Sequence, residues 1–316
     1  MKPSIILPSP FPVVRSSGCW IVRLALLAVF SPVIANSASA EERQAAIFSM
    51  NADGSDFKKQ VQLANYRGHA TPHSSNDNSK LLFCVSKAEW NAGDPHIFVT
   101  AADGSAPQDL GLGHSPSWSP DNKQIIFHVP RPNVQRIDPG VWIMNADGKA
   151  REWLFAGSHA RFSPDGSRIA YLNNDRTTSI NTYDMLEGTH KRVLEPSFSK
   201  LLCRPAWSPD GKRICFVGKR NDQAGELIII DAAGSNQGFQ IRATGSLVGN
   251  PVWEPGTSIL VQMKTSEDGP EQLYSIDPDS DAPPTLLKNQ EQGQANGDPA
   301  WSPDGKRIIF CSDRSP

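Results

Sequence analysis

The chain contains 316 residues, among them 26 prolines and 24 glycines. About one residue in six is therefore a turn former, a composition that favours many short strands over long helices. Lys and Arg number 31 against 33 Asp and Glu, for a formal net charge of −2. This charge argues against a nucleic-acid partner.

Residues 1–40 differ from the rest of the chain. They contain three basic residues and no acidic one, and an apolar run at 24–35 precedes Ala38-Ser39-Ala40. A basic start, a short apolar core and an Ala-x-Ala end predict a secretory signal peptide that is cleaved near Ala40. The alternative is an uncleaved anchor, but an apolar run of about twelve residues that contains Pro32 is short for a membrane span. We therefore predict a periplasmic or secreted mature chain, 41–316, without a transmembrane segment.

A ten-residue hairpin motif recurs along the mature chain. In its clearest copy, Trp301–Phe310 (WSPDGKRIIF), Pro-Asp-Gly forms a tight turn and the apolar residues after it form a buried strand. The copies begin at Ser74, Trp118, Phe162, Trp207, Trp253 and Trp301, which we call the anchors, at intervals of 44, 44, 45, 46 and 48 residues. A period in the forties with β character is typical of a β-propeller with one blade per repeat.

A second hairpin lies between successive copies of the first. It is clearest at 47–54, 97–104 and 141–148, where it ends in Asp-Gly, and weaker copies end at 188, 234 and 280. Two hairpins per period give four strands per blade. We therefore predict an all-β fold, a six-bladed β-propeller with four antiparallel strands in each blade, as a single domain over 41–316.

The order of the hairpins predicts how the ring closes. The mature chain begins with a hairpin of the second type, 47–63, and ends with one of the first type, 301–311. An isolated hairpin is barely stable in water, and pairing the two removes exposed strand edges. We expect the N-terminal hairpin to supply the two outer strands of the closing blade and the C-terminal hairpin the two inner ones.

Four cysteines remain in the mature chain: Cys84, Cys203, Cys215 and Cys311. They form no C-x-x-C pair, so zinc and redox sites built on cysteine have no support. An exported chain can form disulfides, which leaves their state open. Buried single thiols are favoured, because Cys84 and Cys311 occupy the same place in two different repeats and would lie far apart.

These repeats resemble the PD40 repeat, the WD40-like motif of TolB-type β-propellers. The resemblance rests on Trp207–Arg213 (WSPDGKR), on its copies at 118, 162 and 301, and on the Asn-Ala-Asp-Gly turns at 51–54 and 145–148. It covers essentially all of 41–316 and implies a rigid disc that presents a loop-rich face to a protein or cell-envelope component. The TolB family carries an additional α/β domain before its propeller. Only about seven residues separate the predicted cleavage site from the first strand, so we expect a TolB-like propeller that lacks this domain.

The predicted blades place two kinds of connection on opposite faces. The Pro-Asp-Gly and Asp-Gly turns are short and uniform, and we assign their face to structure. The loops on the other face are long and unlike one another, and variable loops on a rigid scaffold commonly carry binding. The candidate contact residues in these loops are Trp90, Arg131, Arg136, Arg176, Lys219, Arg220 and Lys264. The alternative for each is a solvated loop residue without a role in binding.

A second candidate site lies at the mouth of the central channel, where the innermost strand of each blade begins. The residues just before the anchors are His69, His114, His159, Arg204, Asn250 and Asp298. Neutral imidazoles bind transition metals, and beside a carboxylate they can perform acid–base chemistry. Oligogalacturonate lyases, which this chain resembles only in its blades, build a metal site from propeller histidines. We predict either no cofactor or a divalent metal on His69, His114 and His159. The alternative is a polar, water-lined channel mouth.

Motifs of familiar catalytic classes are absent from the sequence. It contains no G-x-S-x-G, no H-E-x-x-H, no P-loop and no G-x-G-x-x-G. We therefore favour a non-catalytic, monomeric propeller that binds a protein or cell-envelope partner. Two alternatives stay open: a metal-dependent polysaccharide lyase or hydrolase with a histidine-lined site, and a sensor or accessory propeller that binds a small ligand.

Overall fold

The computed structural model describes residues 46–313 apart from 65, 88–93, 131–134, 136, 174–178, 195–199, 202, 220–223, 235–238, 246, 257, 265, 267 and 291–293. The elements in these ranges are all β-strands. Within them, no helix has the length and apolarity that crossing a membrane requires. Residues 42–316 form one compact unit.

The strands assemble into six antiparallel sheets, which are the blades of a β-propeller. In chain order they are β1 (Ala46–Asn51), β2 (Lys58–Val61), β3 (Tyr66–Ser74), β4 (Lys80–Lys87), β5 (His96–Ala101), β6 (Gln108–Leu112), β7 (His114–Trp118), β8 (Gln124–Val129), β9 (Gly140–Asn145), β10 (Glu152–Phe155), β11 (Ser158–Phe162), β12 (Arg168–Asn173), β13 (Ser179–Asp184), β14 (His190–Leu194), β15 (Lys200–Leu201), β16 (Ala206–Trp207), β17 (Arg213–Lys219), β18 (Gly225–Asp231), β19 (Phe239–Gly245), β20 (Val252–Trp253), β21 (Ile259–Lys264), β22 (Glu271–Ile276), β23 (Thr285–Leu286), β24 (Asn296–Trp301) and β25 (Arg307–Ser312). The blades are β2-β1-β25-β24, β3 to β6, β7 to β10, β11 to β14, β15 to β19, and β20 to β23. Strands β15 and β16 both pair with β17 and form two pieces of one inner strand. The predicted fold class is confirmed.

The second strand of each blade is apolar on both faces because it lies between two neighbouring blades. In β8, Ile125 and Phe127 pack on side chains of the preceding blade, such as Leu82, whereas Ile126 packs on the following blade beside Tyr171. Alternate side chains of a strand point to opposite faces, so a continuous apolar run is stable only where both faces are covered. Equivalent phenylalanines recur in these strands and are at most 1% exposed; they are Phe83, Phe127, Phe216 and Phe310.

The N- and C-terminal strands pair with each other and close the ring. Six residue pairs join β1 to β25, from Ala46 opposite Ser312 to Asn51 opposite Arg307. The Phe48 ring stacks on a C-terminal partner, Phe310, at a centroid distance of 6.3 Å. The closing blade therefore has its outer strands from the N-terminal hairpin and its inner strands from the C-terminal one, as predicted.

The turn after five of the six anchors, all except Trp253, is held by a serine and an aspartate. In the second blade, the Ser75 hydroxyl donates to Asp77 Oδ1 at 2.6 Å, the Ser79 N–H donates to the same oxygen at 3.0 Å, and the Lys80 N–H donates to Ser75 Oγ at 2.9 Å. Asn78 takes the left-handed conformation that ends the turn, with φ of 57°. The same serine–aspartate bond, 2.6 Å long, recurs at Ser119–Asp121, Ser163–Asp165, Ser208–Asp210 and Ser302–Asp304. The turn motif is therefore stabilised by side-chain hydrogen bonds as well as by residues that favour the turn conformation.

The four cysteines are free and buried. Burial raises the pKa of Cys203 to about 12, and its sulfur accepts the Val217 N–H at 2.9 Å. This agrees with the expectation of single buried thiols and leaves no disulfide within the described part of the chain.

Replacing Ser75 with alanine tests the turn. The hydrogen bonds from Ser75 and Ser79 lower the pKa of Asp77 to about 2, and in Ser75→Ala we expect this pKa to rise towards the ordinary value of 3.8. An NMR titration of the side-chain carboxyl measures it. A carboxylate with a lowered pKa stabilises the fold above its ordinary pKa, and this contribution is lost as the pH falls through the folded-state value. The variant should therefore lose less stability than the parent on acidification from about pH 4 to about pH 2.

The matched control is Ser119→Ala, which changes the same turn in the next blade. It should raise the pKa of Asp121 and leave that of Asp77 unchanged. An Asp77 pKa that stays near its parent value in Ser75→Ala would show that the hydroxyl does not hold the turn.

Candidate functional site in the central channel

The inner strands carry an unusual backbone conformation just before their anchors. The residues three positions before the anchors are Thr71, Ser115, His159, Arg204, Asn250 and Asp298. Four of them are left-handed, with φ of 56° at Thr71, 51° at Ser115, 55° at His159 and 50° at Asp298. Strand pairing is irregular at this point in β3, β7, β11 and β24. Left-handed backbone is costly for residues with a Cβ, above all for the β-branched Thr71, and such strain concentrates at functional sites.

The irregular backbone frees N–H groups for hydrogen bonds between blades. Asp298 is the centre of this network: its Oδ2 accepts the Thr71 N–H at 3.3 Å, and its Oδ1 accepts from the Asn250 side-chain amide. The Asp298 N–H donates to Gln262 Oε1 at 3.1 Å, and Asn250 Oδ1 accepts the Arg204 N–H at 2.9 Å. Three of the predicted channel residues, Arg204, Asn250 and Asp298, are thus brought together by direct bonds.

Three histidines form a cluster in the channel. The ring nitrogens that His114, His128 and His159 offer as metal ligands all lie within 4.8 Å of one another. The ring centroids of His128 are 5.1 Å from His114 and 4.7 Å from His159. His114 and His159 were predicted from sequence, whereas His128 was missed. Its signal was present, because His128 directly follows the strand phenylalanine, at the place that Cys84 takes in the preceding repeat.

His69 lies apart from this cluster. It is 2% exposed, its Nε2 accepts the Leu63 N–H at 3.0 Å, and its ring stacks on Phe83 at 6.0 Å. These contacts give His69 a structural role between Phe83 of its own blade and the segment that follows β2 of the closing blade. The structure therefore groups His114 and His159 with His128 and not with His69, and metal binding by any of them stays a prediction.

Burial keeps most of the channel imidazoles neutral. Burial, reinforced by the positive charges of His114 and Arg204, lowers the pKa of His159 to about 3. Burial likewise holds the pKa of His128 well below its usual range. His114 differs: burial lowers its pKa, but interaction with the Cys84 thiol outweighs burial and raises it, while the pKa of Cys84 is lowered in turn. His128 and His159 therefore offer neutral nitrogens at neutral pH, whereas His114 is coupled to a thiol that favours its protonated form.

Two arginines add positive charge to the channel. Arg204 is 3% exposed, and its Nη1 has no hydrogen-bond partner among the described residues. Arg161 donates to the Pro116 carbonyl at 3.1 Å, and burial together with the charge of Arg204 holds its pKa well below the usual range. A buried guanidinium nitrogen without a partner costs free energy. The positive charge and the unpartnered nitrogen of the channel therefore favour the binding of an anion.

The channel opens into a recess on the face of the Pro-Asp-Gly turns. The recess has a volume of about 340 Å³, and all six blades line it. Its wall includes the aromatic anchors Trp118, Phe162, Trp207, Trp253 and Trp301, the turn prolines that follow them, and Arg161 and Arg204. The short, uniform turns predict a purely structural face, whereas the structure places a recess lined by aromatic anchors there, of which Trp118, Trp207 and Trp253 are at most 8% exposed. A second cavity of about 350 Å³ lies at the opposite end of the inner strands and includes Asn250, Gln262 and Asp298.

The predicted loop-face residues fall largely outside the described part of the chain. Trp90, Arg131, Arg136, Arg176 and Arg220 are in this group. Lys219 and Lys264 are described; both are half-buried at strand ends and have partners of their own. The loop face therefore stays a prediction.

Comparison with known proteins identifies relatives of the propeller. The family model for PD40, the TolB beta propeller domain, matches residues 38–245 and 186–316. A TolB structure from Agrobacterium tumefaciens is 18% identical and superposes with a TM-score of 0.67, covering 85% of this chain and 97% of that one. TolB from Acinetobacter baumannii is also 18% identical, with a TM-score of 0.59 and coverage of 86% of this chain and 64% of that one.

A curated relative is the uncharacterized peptidase YuxL of Bacillus subtilis (strain 168), 28% identical over 143 residues, which cover 34% of this chain. The match spans only 21% of the length of YuxL. This likeness therefore carries no peptidase activity over to this chain.

Replacing Arg204 with methionine should stabilise the ligand-free protein. Exchanging a buried, incompletely paired charge for an apolar side chain of similar length removes a desolvation cost, and we expect a gain of about 1 kcal/mol or more in the free energy of unfolding. Urea denaturation of chelator-treated protein measures it.

The control is Arg168→Met, because Arg168 lies over the Trp207 ring at 4.8 Å and donates to the Gly211 carbonyl at 3.2 Å. Arg168→Met should lose about 1 kcal/mol. A loss of stability in Arg204→Met as large as in the control would show that Arg204 is satisfied within the fold.

Proposed function

This chain belongs to the TolB β-propeller domain family, and from that premise we propose that it is an exported, non-catalytic scaffold that binds a protein or cell-envelope partner. The proposal combines the predicted signal peptide at 1–40 with the partner binding that the TolB resemblance implies. A monomer is proposed as well, because charged residues such as Lys58, Lys59 and Lys191 on the outermost strands oppose edge-to-edge pairing.

The observation that carries this proposal is the aromatic recess. Tryptophan and phenylalanine are enriched at the centres of protein interfaces, where they bury large areas at a low cost in side-chain entropy. A volume of about 340 Å³ suits a few side chains of a partner and is too small for a folded domain. We therefore propose that a loop or chain terminus of the partner enters the recess while neighbouring surface contacts the Pro-Asp-Gly turns.

Rigidity of the recess supports the proposal. The serine–aspartate turns fix the prolines of the wall, and the closed ring fixes the inner strands against one another. Since a preorganised surface loses little entropy when a partner binds, such a recess can bind through few contacts. The loop face, with Trp90, Arg131, Arg136, Arg176, Lys219 and Arg220, is proposed as a second contact surface on the grounds of loop variability alone.

One observation favours a second candidate function. The histidine cluster supplies the ligands that the alternative, a metal-dependent lyase or hydrolase, requires. The substrate of such an enzyme is not indicated by the described residues, so we keep the binding scaffold as the conclusion.

Photo-crosslinking in cells tests where the partner binds. A benzoylphenylalanine introduced at Pro164 or Pro209, both exposed at the wall of the recess, should form a covalent adduct with one protein, detected as the same shifted band at both positions. The control position is Leu186, which is 95% exposed and away from the recess, and it should give no such band. An adduct at Lys264 alone would move the interface to the loop face, and the absence of an adduct at all four positions would contradict the proposal.

Export is tested by the N-terminus of the secreted chain. We expect sequencing to begin at Glu41. Ala40→Arg should block cleavage, because signal peptidase requires small residues in an Ala-x-Ala pattern, whereas Ser39→Arg changes the central position and should be cleaved normally. Equal retention of residues 1–40 in the parent and in both variants would instead support an uncleaved anchor.

A further inference from the structure

We propose that His114, His128 and His159 bind one divalent transition-metal ion, with an open coordination position that faces an oxyanion held by Arg204. This proposal does not rest on the proposed partner binding in the recess. Its first support is proximity, since the available ring nitrogens lie within 4.8 Å of one another. Metal–nitrogen bonds of about 2.0–2.1 Å place the ligands of a tetrahedral ion about 3.4 Å apart. Small side-chain rotations would close the cluster to that size.

The second support is the orientation of the rings. His114 Nδ1 lies 2.7 Å from Ser115 Oγ, and His159 Nδ1 lies 3.0 Å from Ser158 Oγ. When the serine oxygen accepts the Nδ1 proton, the Nε2 of each ring carries the lone pair that a metal needs. Metal-ligating histidines are commonly fixed in this way by a bond from their other nitrogen.

His128 requires one adjustment. Its Nδ1 accepts the His159 N–H over 3.4 Å, which is long for a hydrogen bond. Binding a metal through Nε2 moves the ring proton to Nδ1 and ends this contact. The loss costs about 1 kcal/mol, which is small beside the free energy of a metal site with three histidines.

The third support is the charge around the cluster. Arg204 stands three residues before its anchor, the position that His159 takes in the neighbouring blade, and its buried Nη1 has no hydrogen-bond partner in the described structure. A metal ion alone would add positive charge beside Arg204 and Arg161. An oxyanion that ligates the ion and accepts a hydrogen bond from Arg204 would offset the added positive charge and give Nη1 a partner. A site with three protein ligands leaves a position open for it.

Metal titration of the untagged, chelator-treated protein tests the proposal. Isothermal titration with Zn²⁺ and with Mn²⁺ should show one ion per chain for at least one of these metals. His128→Ala should weaken binding at least about 100-fold, beyond the 10- to 100-fold effect of changing a residue that only supports a ligand. The matched control His190→Ala should bind as the parent does, because His190 lies on β14 and bonds to Tyr171. His159→Gln repeats the test if His128→Ala does not fold.

Two spectroscopic readouts test the metal site and the anion position separately. Co²⁺ should give a visible absorption band typical of nitrogen ligation, which is lost in His128→Ala. Adding acetate should shift this band in the parent and leave it unchanged in Arg204→Met, which still binds the metal. Binding that is absent, or that survives both histidine variants, overturns the metal site. A parent spectrum that acetate does not shift overturns the anion position.

Discussion

Pairing of β1 with β25 is the interaction on which the rest of this structure depends. In a ring, each blade is held by two neighbours, and one missing interface leaves every blade free to shift. Closing a loop of more than 250 residues costs about 5 kcal/mol of chain entropy, because the cost grows only with the logarithm of length. Burying an aromatic or aliphatic side chain recovers about 1.5–3 kcal/mol. Phe48, Met50, Ile308 and Phe310, all at most 5% exposed around this seam, are therefore sufficient to close the ring.

A closed ring can tolerate strained backbone and buried polar groups along its axis, although both destabilise the fold. Left-handed conformations at Thr71, Ser115, His159 and Asp298 each cost on the order of 1–3 kcal/mol. They persist because neighbouring blades hold the inner strands on both sides, and because Asp298 bonds to Thr71 across the boundary between the closing blade and the next one. The middle strands of the blades, such as β8 and β17, carry stability through apolar burial, whereas the inner strands carry strain, buried imidazoles and an unsatisfied guanidinium. This division is expected when the axis of the molecule is its functional site.

The blades could be predicted from the sequence because turn chemistry and apolar runs repeat together. Even the weak copy at Trp253, which lacks the serine and the aspartate, keeps its apolar strand and forms a blade. The channel was predicted less completely. His69 was counted with the channel because it precedes an anchor, but β3 shifts register twice between Arg67 and His73, and His69 enters the blade beside Phe83. His128 was missed because it follows a strand phenylalanine, a place read as core from its neighbours. Side-chain direction at such bulges depends on local register, which periodicity alone does not determine.

The recess and the histidine cluster cannot be electrostatically independent, because Arg204 belongs to both. It lines the recess, and its charge acts on His128 and His159. An acidic group that a partner brings to Arg204 would offset the positive charge that opposes a metal ion on the cluster. By thermodynamic reciprocity, a metal that favours the acidic partner is itself bound more tightly when that partner is present. Arg161 also lines the recess and acts on His159. Buried arginines therefore link the Pro-Asp-Gly face to the histidine cluster, and neither the turn motif nor the repeat period would indicate this link.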